Sequence, residues 1–164
     1  MTYLRFAAMI ATSTVVMFGL MYLNTFAIDH VVWSQTRVWM ALLMGAVMAV
    51  IMLLFMLKMY KNRATNIAII IGAVAVFVGS LWLVRSQATV GDVDYMRAMI
   101  PHHSIAIMTS SRAHIKDPKV RQLADQIIEA QVREIGEMKA LIADLEANPP
   151  APSAPDLAPG VATE

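Results

Sequence analysis

Three long apolar runs dominate the first half of the chain, and the second half switches to apolar positions at helical spacing. The runs cover roughly Phe6–Leu23, Val38–Leu57 and Ile67–Val84, and none holds a charged side chain. About 20 helical residues cross a bilayer core, so the pattern predicts three transmembrane helices. A cleaved signal peptide competes for the first run. Its apolar stretch is longer than a signal core, however, and Thr25-Phe26-Ala27 is a poor cleavage site, which favours a retained helix. The expected fold class is all-α. Residues 1–85 form a three-helix transmembrane region, residues 86–148 a soluble helical hairpin and residues 149–164 a Pro-rich disordered tail.

The hairpin has readable ends. Asp92 or Asp94 follows Gly91 and suits a cap for a helix running to about Ile115. Asp117-Pro118 marks a second start, with an N-cap acid and then proline at the first helical position, where its missing N–H costs nothing. That helix should run to about Ala147, before Asn148-Pro149-Pro150. It reads as a heptad from Val120 through Ala124, Ile127, Gln131, Glu134, Met138 and Leu141 to Leu145, flanked by Ile128, Ile135 and Ile142. Gln131 and Glu134 interrupt the seam. Burying a carboxylate costs several kcal/mol without a partner, so the interruption needs a reason.

The first hairpin helix supplies candidates. At about 100° per residue, Met96, Met99 and His103 share one arc, with His102 beside Met99. Together with Glu134 and Met138 they form the predicted metal ligands: Met96, Met99, His102, His103, Glu134 and Met138. Cysteine is absent and methionine occurs 14 times, so soft-metal chemistry here must use thioether and imidazole. Such donors favour copper, Cu(I) preferring sulfur and Cu(II) the His/Glu subset. Core packing is the plainer role for any single methionine. Pro101 beside the His pair is expected to kink the helix. His114 reads as a helix-end residue and His30 as an interfacial one. Met40, Met44, Met48, Met52 and Met56 recur every four residues in the second apolar run, and flexible packing explains them better than a copper path.

Charge then adds topology. Residues 1–85 hold six basic residues against Asp29 alone, +5; residues 86–164 hold seven basic and eleven acidic residues, −4. The acidic half argues against nucleic-acid binding. Arg5, Lys58, Lys61 and Arg63 outnumber Arg37 and Arg85, which places the N-terminus in the cytoplasm and the hairpin in the periplasm of a bacterial inner membrane. No Glu-x-x-His, nucleophile triad or phosphate loop is present, so a binding protein is expected rather than an enzyme. The alternative is a structural or partner-binding membrane subunit without its own metal.

The motif Met99-Ile100-Pro101-His102-His103, followed by Asp117-Pro118-Lys119-Val120-Arg121 and by Gln131 to Met138, resembles the bacterial family called domain of unknown function 305, over about residues 92–145. The resemblance implies a ferritin-like helical fold and periplasmic copper binding, carried onto Met99, His102, His103, Glu134 and Met138; Met96 rests on helical geometry alone. This chain departs from the family at Thr109, where many members carry methionine. One hairpin is too small to be stable alone, so a homodimer completing a four-helix bundle is expected, with copper-handling proteins as possible partners.

Overall fold

The computed structural model describes residues 2–151 and 153–157, and among them it is all-helical, with no strand. Five α-helices follow in order: α1 (Tyr3–Leu20), α2 (Gln35–Phe55), α3 (Arg63–Ser86), α4 (Asp92–Arg112) and α5 (Pro118–Ala147). The outer part of the expected tail, residues 158–164, and Pro152 lie outside the described residues.

Helices α1, α2 and α3 are long and apolar enough to cross a membrane. Each starts on a polar cap. Thr2, Ser34 and Asn62 accept the backbone N–H of Arg5, Arg37 and Thr65 respectively, satisfying one orphan donor at each start. α2 is the central member, and small residues let its neighbours close in: Ala41, Gly45, Ala46 and Ala49 are buried. The outward faces carry large apolar side chains, such as Phe55 at 86% exposed. At one end Phe6, Leu53 and Tyr60 form a buried cluster. There the Tyr3 hydroxyl donates to Asn66 Oδ1 (2.8 Å), and Asn66 Nδ2 donates to the Tyr60 carbonyl (2.7 Å).

α4 and α5 form the expected hairpin, with two adjustments to its ends. Gly91, not an aspartate, is the N-cap of α4, while Asp92 and Asp94 fall in its first turn, where carboxylates suit the helix dipole. α4 ends at Arg112, so His114 lies beyond the helix. α5 starts as read: Asp117 Oδ1 accepts from the N–H of Lys119 (2.8 Å) and Val120 (3.0 Å).

The hairpin docks on the segment between α1 and α2, which contains a short 3-10 turn, Ile28–His30. The Phe26 N–H donates to Ser104 Oγ (2.7 Å), and His30 Nδ1 lies 2.9 Å from the same hydroxyl. Lys139 pairs with Asp29 at 2.7 Å, and Val32 packs on the hairpin core. The α1–α2 connection and the hairpin thus share one end of the molecule, as three successive antiparallel helices require.

Candidate metal centre

The hairpin core consists of Met96, Ile100 and Ile107 from α4 against Ile135 and Met138 from α5, with Met99, Ile128, Ile142 and Leu145 packed around them. The α5 seam is therefore Ala124, Ile128, Gln131, Ile135, Met138, Ile142 and Leu145, still at spacings of four and three but turned from the expected one. Val120 and Leu141, assigned to the core by periodicity, are instead about half exposed. The physical reason is the width of the apolar stripe. Two heptad tracks lie one position apart: that of Ile128, Ile135 and Ile142 is apolar throughout, while that of Val120, Ile127 and Leu141 carries Glu134, so turning the isoleucines inward spares the carboxylate full burial.

The turned seam places Glu134 on the shoulder of the interface rather than inside it. Its side chain is 38% exposed, while that of His103 is 14% exposed. His103 Nδ1 lies 3.1 Å from Glu134 Oε2. The approach is off the line of a hydrogen bond, so Nδ1 is a buried polar atom without a hydrogen-bond partner. Gln131 Nε2 donates to the same carboxylate oxygen at 3.4 Å, a long bond. Burial pushes the His103 imidazole below its ordinary pKa; Glu134 raises it in part and neighbouring His102 lowers it. At neutral pH the ring is therefore neutral, the form that offers a lone pair to a metal.

The remaining predicted ligands are placed as follows. Met96 and Met138 are buried in the core cluster, and Met99 packs on its edge. His102 is exposed, its ring centroid 6.0 Å from that of His103 at an interplanar angle of 60°. Met99 lies one helical turn before His103 and Met138 one turn after Glu134, and His102 stands outside the His103–Glu134 contact. Pro101 is buried within a continuous α4. Among the described residues no three His, Cys, Asp or Glu side chains converge as a metal group. A site here must draw on methionine sulfur, and the donor set suits a soft or borderline ion. The orphaned Nδ1 fits such an ion.

Sequence reasoning passed over Ser104, which is fully buried and holds both Phe26 and His30. Its one signal was a small polar residue on an apolar stripe, which reads equally as packing. Two residues from His102 on a helix, it lies roughly 160° round α4. The hairpin therefore has a closed side, covered by the α1–α2 segment, and an open side that carries His102, Tyr95 and Leu141.

The family model described as "Domain of unknown function (DUF305)" matches residues 92–161. An uncharacterized protein of Acanthamoeba polyphaga mimivirus is 36% identical over 106 residues, covering 63% of this chain and 68% of that one. The aligned stretch is longer than the family region, so the likeness extends beyond the hairpin. No solved structure matches.

Proposed function

The chain belongs to the DUF305 family, and from that premise we propose that it is a membrane-anchored copper-binding protein that sequesters, delivers or detoxifies copper. The observation that carries this reading is the buried His103 Nδ1, without a hydrogen bond and 3.1 Å from Glu134 Oε2, with Met96 and Met99 on the turns before His103 and Met138 one turn after Glu134. Those residues, with His102 at the open edge, would hold the ion. The chemistry asked of them is binding and release, not catalysis. A neutral imidazole and soft sulfurs accept copper in either oxidation state, and exposure of His102 offers an entry point.

Membrane anchoring is supported by the three apolar helices and by an aromatic group at the hairpin end. The Phe18 ring packs on Tyr22 and Trp33, and Arg37 lies 4.3 Å over the Tyr22 ring, an arrangement typical of a bilayer interface. The charge bias of the connecting segments supports an inner membrane with the hairpin in the periplasm. The open side supports a homodimer: Tyr95, Leu123 and Leu141 are each more than half exposed there, and a second hairpin would bury them in a four-helix bundle.

The test is a titration of the detergent-purified chain with Cu(I) and Cu(II). Replacing both His102 and His103 by alanine is expected to weaken binding by about tenfold or more, whereas Met108→Leu leaves it unchanged. Unaltered affinity in the double variant rejects the reading. The second reading, a partner-binding subunit without metal, is favoured by the absence of a three-residue His or carboxylate group among the described residues. It predicts no copper after mild purification and a stoichiometric protein partner instead.

A further inference from the structure

Helices α1 and α3 both lie on α2 and are tied together at the end away from the hairpin, where Tyr3 bonds Asn66 and where Ile69 and Ile70 share the Phe6 cluster. Beyond that tie they splay, and a groove of about 650 Å³ opens between them. Gly45, Ala46 and Ala49 of α2 form its floor; Ile10 of α1 and Gly72 of α3 stand in its walls. The lining is apolar apart from Tyr3, Thr14 and Thr65. The hydroxyls of Tyr3 and Thr14 are already engaged, the first with Asn66 and the second with the Ile10 carbonyl at 2.9 Å.

Length and charge identify an occupant. The groove runs from Tyr3 to Val15 along α1 and from Thr65 to Val76 along α3. At 1.5 Å per residue that is about 16–18 Å, close to half of a hydrocarbon core about 30 Å thick. It therefore spans one leaflet. A helix from another copy, about 10 Å across, would continue through the second leaflet, where the groove ends. At the closed end Arg5, Lys58, Lys61 and Arg63 are exposed, and none forms an ion pair among the described residues. Before Asp92 the chain has a single acid, Asp29, and it sits at the opposite end, paired with Lys139. Four juxtamembrane cations without an acid form a site for an anionic lipid headgroup.

We propose that this groove binds one acyl chain of an anionic phospholipid whose phosphate rests among those four cations. The proposal rests on reading α1 to α3 as membrane spans and is independent of copper. It is tested on the full chain by native mass spectrometry from mild detergent, with phosphatidylglycerol and phosphatidylcholine of identical chains in competition. A single phosphatidylglycerol adduct per protomer is expected, favoured by on the order of tenfold. A Cβ at Gly72 would meet nothing within 4 Å, so Gly72→Phe should fill the groove without disturbing helix packing and abolish the adduct. Ala11→Phe, which fills it from the other wall, should do the same. Lys61→Gln with Arg63→Gln should leave lipid binding but remove the preference. Equal binding of the two lipids overturns the proposal, as does an adduct that survives both phenylalanine variants or an oligomer that Gly72→Phe dissociates. Release of the wild-type chain from membranes by alkaline carbonate would instead overturn the membrane reading itself.

Discussion

His103 feels three influences that substitution can separate. Burial lowers its pKa, Glu134 raises it and His102 lowers it. Glu134→Gln keeps the shape and removes the charge, so the imidazole is expected to fall further below the ordinary value of about 6.5. His102→Ala should move it up. Titration of the ring resonances by NMR, without copper, checks both signs. His30 answers to pH differently, because it joins the hairpin to the α1–α2 segment. Burial lowers its pKa first, Asp29 opposes and Lys139 assists. A lowered histidine pKa means that the folded arrangement prefers the neutral ring. Its contribution is present above about pH 6.5 and is lost as pH falls from there toward the lowered value. Hydrogen exchange at the Phe26 amide, corrected for intrinsic rate, should therefore lose protection between pH 7.5 and pH 5.5, and His30→Ala should remove most of that dependence.

At the scale of elements, α1 and α2 approach closely at Gly45. A Cβ added at Gly45 would collide with Thr14 Oγ1 and lie 3.2 Å from its Cγ2, and that hydroxyl is held by the Ile10 carbonyl. Gly45→Ala is expected to destabilise the helix pair by about 1–3 kcal/mol, the usual cost of overpacking. Thr14→Ala should restore most of it, since the remaining Thr14 Cβ is 3.4 Å away, an ordinary contact. Equilibrium unfolding in mixed micelles, run as a double-mutant cycle, reads this coupling. The elements themselves were legible beforehand. Asp117-Pro118 announced α5 because both residues satisfy local backbone needs, and the three helices long enough to cross a membrane were announced by uninterrupted apolarity. The rotation of α5 was not legible. Val120 and Leu141 are as apolar as the isoleucines at 128, 135 and 142, and although Glu134 falls on their track, a partnered carboxylate fits a seam, so the choice waits for packing against α4.

At the scale of the whole molecule, the hairpin is covered on one side and bare on the other. Ser104, Asp29, His30 and Lys139 belong to the covered side; Tyr95, His102, Leu123 and Leu141 to the bare one. The homodimer proposed above would cover the bare side and bring the candidate ligands near a second copy. Leu141→Lys leaves the core of one hairpin untouched, because Leu141 is 52% exposed. It is expected to convert a dimer to a monomer by light scattering in detergent, and to weaken copper binding if ligands are shared between copies. A mass unchanged by the substitution rejects this face as the interface.

Properties set by neighbours in the chain were determined by sequence: three bilayer-length helices, the ends of α5, the absence of thiolate and the Met/His/Glu composition of the candidate site. Each follows from local backbone needs or from side-chain chemistry, which do not depend on what lies across the fold. The tertiary structure decided which heptad track faces inward, that His103 rather than His102 meets Glu134, and that Ser104 ties the hairpin to the α1–α2 segment. These are contacts between residues far apart in the chain. Several pairings satisfy the same pattern of polar and apolar positions, and close packing of particular shapes selects one.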